Sequence, residues 1–135
     1  MSIELVRKMS ESVEAAQHTE WPRAMFRFGH AENVLPLVLQ LGLYRDQDPL
    51  TAESAIDAPR LWRTSRIAPF GTNVAVVLYR CAAGFFVQVR HNERAVALPD
   101  CGSPLPSPVT HACPLQQFLR LHEQLLEQTF ESVCA

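Results

Sequence analysis

At 135 residues, with 12 basic against 14 acidic side chains and a formal charge of -2, the chain is bounded to one ordinary domain or less and carries no basic field suited to nucleic-acid backbones. Hydrophobic residues at 47% suffice for a globular core, yet the longest apolar stretches, such as 35–39, are far too short to cross a bilayer. Four cysteines, Cys81, Cys101, Cys113 and Cys134, include no C-x-x-C pair, which argues against a zinc site; disulfides in an oxidising compartment and buried thiols in a cytosolic one both fit the count.

Residues 1–20 mix charged and apolar positions, so no uninterrupted secretory signal is visible. Val6, Met9, Val13 and Ala16 recur at helical spacing and predict an amphipathic surface helix. Trp21-Pro22 breaks that pattern, and Ala24 to Phe28 then form a short apolar run ending at Gly29, read as a buried strand that delivers the chain to His30. From Ala31 to Leu43 nearly every position is apolar. That predicts a helix starting near Glu32, with Pro36 tolerated in its first turn and Gly42 as a left-handed stop.

The polar stretch from Tyr44 to Arg60 predicts a loop with at most a helical turn around Thr51 to Ala55. Asn73 to Cys81 is nearly continuous in apolar residues, the pattern of an inner strand covered on both faces. Ala82-Ala83-Gly84 turns the chain, Phe85 to Arg90 alternates, and a turn at His91 to Glu93 precedes Arg94 to Leu98, giving an antiparallel meander of three strands. After a Pro-rich loop, Pro114 opens a final helix with Leu115, Phe118, Leu119, Leu125 and Leu126 inward. Trp21, Trp62, Phe85 and Phe86 read as core or packing residues, and no cofactor box is present. The fold class is α/β: strand into helix, β-meander, terminal helix.

Chemistry is suggested by Arg27-Phe28-Gly29-His30-Ala31-Glu32, where a histidine precedes a helix and a carboxylate lies in its first turn. A helix N-terminus offers unpaired amides and positive potential to a phosphate. There His30 can donate a hydrogen bond to a phosphoryl oxygen, and a protonated Glu32 can give its proton to a departing alkoxide. The plain alternative is that Glu32 only complements the helix dipole and His30 is a satisfied residue at a strand end.

The decapeptide Phe28-Gly29-His30-Ala31-Glu32-Asn33-Val34-Leu35-Pro36-Leu37 resembles the His-Ala-Glu segment of multiple inositol polyphosphate phosphatases, within the histidine acid phosphatases. The similarity continues through Leu41 to Tyr44, Asp48 to Ala52, Trp62 to Phe70, Asn73 to Cys81 and Val87 to Pro99. The resemblance implies that residues 1–135 are a C-terminal segment of such a phosphatase domain. It implies Glu32 as proton donor and His30 as a phosphate-holding residue, and inositol polyphosphates, phytate above all, as the small-molecule substrate. 2,3-Bisphosphoglycerate is a second substrate implied in the same way. It also implies an endoplasmic reticulum lumen or secreted location, a disulfide between Cys101 and Cys113, and no metal or cofactor; no partner protein is indicated.

The chain departs from that family at the nucleophile, because no Arg-His-Gly-x-Arg-x-Pro string is present, and His18, His91, His111 and His122 are not followed by Gly-x-Arg. The expectation is therefore a partial active site with no turnover by this chain alone. Cys81 and Cys134 resemble positions whose partners in related phytases lie in an N-terminal portion not matched here, so the resemblance implies that they are unpaired unless they find each other. Arg63 and Arg66 can face an anionic substrate or belong to a solvated loop. The rival reading is a truncated, non-catalytic module that binds anionic ligands or a partner protein.

Overall fold

The computed structural model describes residues 2–16, 18, 24–51, 59–101 and 109–127. Helix α1 spans Ser2–Ala15 and turns Met9 and Val13, four residues apart, toward the core, while Ala16 just beyond it is exposed. Helix α2 spans Ala31–Gln40 and buries Leu37 and Val38. It starts one residue before the expected position, which leaves Pro36 in the second turn and removes the amide that would have bonded the Glu32 carbonyl.

The end of α2 matches the sequence reading in physical detail. Gly42 has φ +75°, its amide bonds the Leu39 carbonyl at 2.9 Å, and the Leu43 amide bonds the Val38 carbonyl at 3.0 Å. Those two bonds are the Schellman pair, which satisfies carbonyls that a helix C-terminus otherwise leaves open. Val38 and Leu43, the residues so joined, are both buried in the core.

A one-turn helix, α3 (Thr64–Ile67), precedes the sheet and anchors it through fully buried Ile67. The sheet comprises β1 (Val74–Cys81), β2 (Gly84–His91), β3 (Arg94–Val96) and the short β4 (Cys113–Pro114), all pairing antiparallel. Strand β2 lies at the centre, with β1 on one side and both β3 and β4 on the other. The expected meander is present, although β3 is shorter than Arg94 to Leu98. Its tight turn is Asn92-Glu93, with φ 47° and 65°, the double left-handed geometry of a type I′ hairpin; His91 is the last strand residue rather than part of the turn.

Two strand expectations need correction. Residues 24–30 form no strand; they are exposed, with Phe26 at 80% and Phe28 at 96% accessibility. A strand needs a ladder neighbour, and among the described residues none lies alongside this segment. Second, β1 is an edge strand, half-buried along its length, whereas β2 carries the burial on both faces through Phe86, Val87, Gln88 and Val89. Continuous apolar sequence marks a strand but does not say how many neighbours it acquires.

Helix α4 spans Leu115–Glu127, directly after Pro114, and buries Leu115, Phe118 and His122 on one face. Helices α1, α2 and α4 pack together, and α4 also packs on β2. A single core forms between them, joining Val13, Leu37, Val38 and Phe118 to Val87, Val89 and Leu98 from the sheet side. Trp62 and Phe85 border that core as expected, and Phe86 is buried. Trp21, the turn near 52–55 and Cys134 lie outside the described residues, as do the side chains of Val6, Leu125 and Leu126.

Cys101 and Cys113 form a disulfide with Cα atoms 5.7 Å apart, and Cys81 is a free thiol. The bridge ties the chain after β3 to β4 and so to the start of α4. Closing a loop of that length contributes about 2–3 kcal/mol in the chain-entropy account. Reduction is expected to lower the stability by that amount, read as a downward shift of the urea midpoint by about 1–2 M, and an unchanged midpoint would show that the loop is already held by packing.

Candidate active site

His30 occupies the N-cap position of α2 in an extended conformation, φ -119° and ψ 179°. Its carbonyl accepts the amides of Asn33 at 3.0 Å and Val34 at 3.3 Å, closing the first turn. The imidazole makes no capping bond to the helix, so the ring is not consumed by a structural role there. Glu32 follows in the first turn, and both side chains are exposed at the same helix end. The amides of Ala31 and Glu32 have no intrahelical carbonyl to bond, which leaves two donors and the positive end of the helix dipole facing solvent.

Gly29 accommodates a close approach of the Asn33 side chain rather than a turn. A Cβ there would meet the Asn33 amide nitrogen at 2.5 Å and its Cγ at 3.3 Å. The Asn33 side chain thus folds back over the residue preceding His30, and its own first-turn amide holds the His30 carbonyl. Gly29, His30 and Asn33 thus form one local unit at the start of α2, with Glu32 in the same first turn.

That end of α2 is open. Neither His30 nor Glu32 lines the cavity at the far end of α2 or the one beside Gly84 and Pro114. Arg63 sits half-buried at the N-cap position of α3 and Arg66 is exposed in its last turn; neither lines either of those cavities. No group of three or more His, Cys, Asp or Glu side chains able to hold a metal occurs among the described residues. No helix there is long and apolar enough to cross a membrane.

Two polar clusters escape sequence reasoning. Asp46 Oδ1 accepts the Leu61 amide at 2.6 Å and Oδ2 accepts the Trp62 amide at 3.0 Å. These bonds stabilise the carboxylate and lower its pKa below the ordinary value, helped by the charge of Arg60. The clamp is therefore intact above the unfolded-state pKa and is lost as pH falls through the lower folded-state value. The Leu61 and Trp62 amide resonances are expected to titrate together below about pH 4, and Asp46→Asn should abolish that titration. Amides that titrate unchanged in the variant would show that another group drives them.

The second cluster centres on His91, 4% exposed. Its Nε2–H donates to the Ile67 carbonyl at 2.8 Å, and its Nδ1 hydrogen-bonds the Tyr44 hydroxyl. Thr72 donates to the Asn92 side-chain oxygen at 2.8 Å, which also takes the Asn73 amide at 3.2 Å. Burial raises the Tyr44 pKa, keeping the phenol protonated and able to donate. The network ties Tyr44 in the turn after α2, the end of α3 and the β2–β3 turn to one another, holding the chain that carries Arg63 and Arg66 against the sheet. Only the Asn-containing turn was a usable signal in the sequence.

Residues 2–94 match the model of the histidine phosphatase superfamily (branch 2). The chain is 37% identical over 108 residues to multiple inositol polyphosphate phosphatase 1 of Dictyostelium discoideum, covering 76% of this chain and 16% of that protein. The Homo sapiens protein of the same name is 31% identical over 104 residues, covering 70% of this chain and 21% of that protein. An acid phosphatase of Schizosaccharomyces pombe is 27% identical over 84 residues, 59% of this chain and 18% of that protein. The chain thus spans about a fifth or less of the length of these curated relatives.

Proposed function

The chain belongs to branch 2 of the histidine phosphatase superfamily, and from that premise we propose that it supplies the proton-donor side of a phosphomonoesterase site acting on inositol polyphosphates. The observation that carries this reading is the pairing of an uncommitted His30 imidazole and Glu32 at one exposed helix end beside two free amides. Phosphate oxygens fit such an end, with the amides and the His30 ring donating to them. The names of the similar proteins indicate inositol polyphosphates as the substrate class.

The proposed step assigns each proton. A histidine nitrogen on another segment of the complete enzyme attacks phosphorus, and the ester P–O bond breaks. Glu32 gives its carboxylic proton to the alkoxide oxygen as it leaves. Water then attacks the phosphohistidine, returning a proton to Glu32 and freeing inorganic phosphate. His30 holds a non-bridging oxygen through both steps. Residues 1–135 act as part of a domain in this scheme, and the Cys101–Cys113 disulfide supports a lumenal or secreted setting.

A second reading, a non-catalytic module that binds anions or a partner, draws on the open surroundings of His30 and Glu32. The two are separated by grafting this chain in place of the matching segment of the Dictyostelium relative and measuring phosphate release from inositol hexakisphosphate. An active graft that Glu32→Gln inactivates supports the phosphatase reading. Turnover by the isolated chain would overturn the division of roles, and a soluble, folded but inactive graft would favour the non-catalytic module.

A further inference from the structure

The segment that delivers His30, residues 24–30, is exposed and has no ladder neighbour among the described residues, and the His30 ring makes no bond to the helix it caps. Asn33 touches the backbone on both flanks of that ring. Its amide donates to the His30 carbonyl at 3.0 Å on one side, and on the other its carboxamide folds back so close to Gly29 that a Cβ there would lie 2.5 Å from Nδ2. Helical side chains lean toward the N-terminus, so a first-turn residue reaches back over the chain entering the helix. A Glu or Gln at this place spans to the N-cap amide in a capping box. The shorter Asn33 packs on the preceding residue instead. Gly29 has no positive φ, so its own conformation does not call for glycine; the space it leaves is taken by Asn33.

We infer that Asn33 is a positioning residue for His30, fixing the direction from which the imidazole meets a phosphate oxygen. The inference rests on the phosphatase reading of the site. Asn33 acts here through His30 rather than on the substrate, and the leverage is large, because a misplacement of about 1 Å can cost on the order of 10²-fold in rate.

The graft with the Dictyostelium relative tests this by a double-mutant cycle, read as inhibition by inorganic phosphate and as turnover of inositol hexakisphosphate. Asn33→Ala is expected to weaken phosphate binding and slow turnover by about tenfold or more. Gly29→Ala should do the same, since its methyl displaces the carboxamide, and the two together should cost no more than either alone. In a His30→Ala background Asn33→Ala should cost less than about twofold, because the ring it aims is gone. Equal loss in both backgrounds would mean that Asn33 only stabilises the helix, and it overturns the proposal, as does an Asn33→Ala graft that behaves like the parent. Full activity in Glu32→Gln would instead defeat the phosphatase reading itself. If the graft is inactive, the whole chain decides by nuclear magnetic resonance. The His30 HN–Hα coupling, large at φ -119°, should fall toward a conformational average in Asn33→Ala and Gly29→Ala alike, and an unchanged coupling in either variant overturns the proposal.

Discussion

Glu32→Gln, introduced into the graft with the Dictyostelium relative, is expected to slow phosphate release from an inositol polyphosphate by about 10²–10⁴-fold, the usual contribution of a positioned general acid. p-Nitrophenyl phosphate should lose less than about tenfold, since its phenolate leaves without protonation. The contrast follows from chemistry at one atom: glutamine keeps the shape and hydrogen bonding of the side chain but has no proton to give. Equal slowing of both substrates would sink the assignment. His30→Ala should differ in kind, weakening inorganic phosphate binding as well as rate, because the ring donates to an oxygen present in substrate, intermediate and product alike. If phosphate affinity is unchanged, the His30 ring does not hold the phosphate.

The largest expected loss of stability is at Phe118. It is fully buried in the core, on α4 where that helix packs against α1, β2 and β4, and its ring lies 4.6 Å from that of His122. Phe118→Ala removes the ring's transfer energy and leaves a cavity that neighbouring helices cannot collapse to fill, a cost of about 3–5 kcal/mol. Domains of this size are stable by only about 5–15 kcal/mol, so the variant should be partly unfolded at 37 °C. Leu121 is a control three residues along the same helix, exposed to 38%; Leu121→Ala should cost about 1 kcal/mol or less. Urea midpoints by circular dichroism measure both. Similar losses would mean that α4 contributes through helix formation rather than through Phe118 packing.

The same distinction between local and distant causes decides how the molecule was legible. Helical spacing in α1, the apolar run and glycine stop of α2, the alternation of β2 and the start of α4 are properties of neighbouring residues. The sequence by itself therefore determined those elements, and it placed His30 and Glu32 at one helix end, since a two-residue spacing cannot separate them. Family resemblance, rather than any local pattern, pointed to the Cys101–Cys113 pair.

Whatever depends on who lies beside whom was left to the tertiary structure. An apolar run is identical in a central strand, an edge strand or an exposed segment, so the sequence did not reveal that 24–30 lacks a ladder neighbour or that β2 rather than β1 is covered on both faces. The Asp46 clamp joins residues 15 and 16 apart, and the Tyr44–His91 bond spans 47. The cavity at the far end of α2 likewise unites that helix end, the chain after β3 and α4. Hydrogen bonds and cavities of this reach arise only when packing brings separate elements together, because no periodicity along the chain encodes the contact.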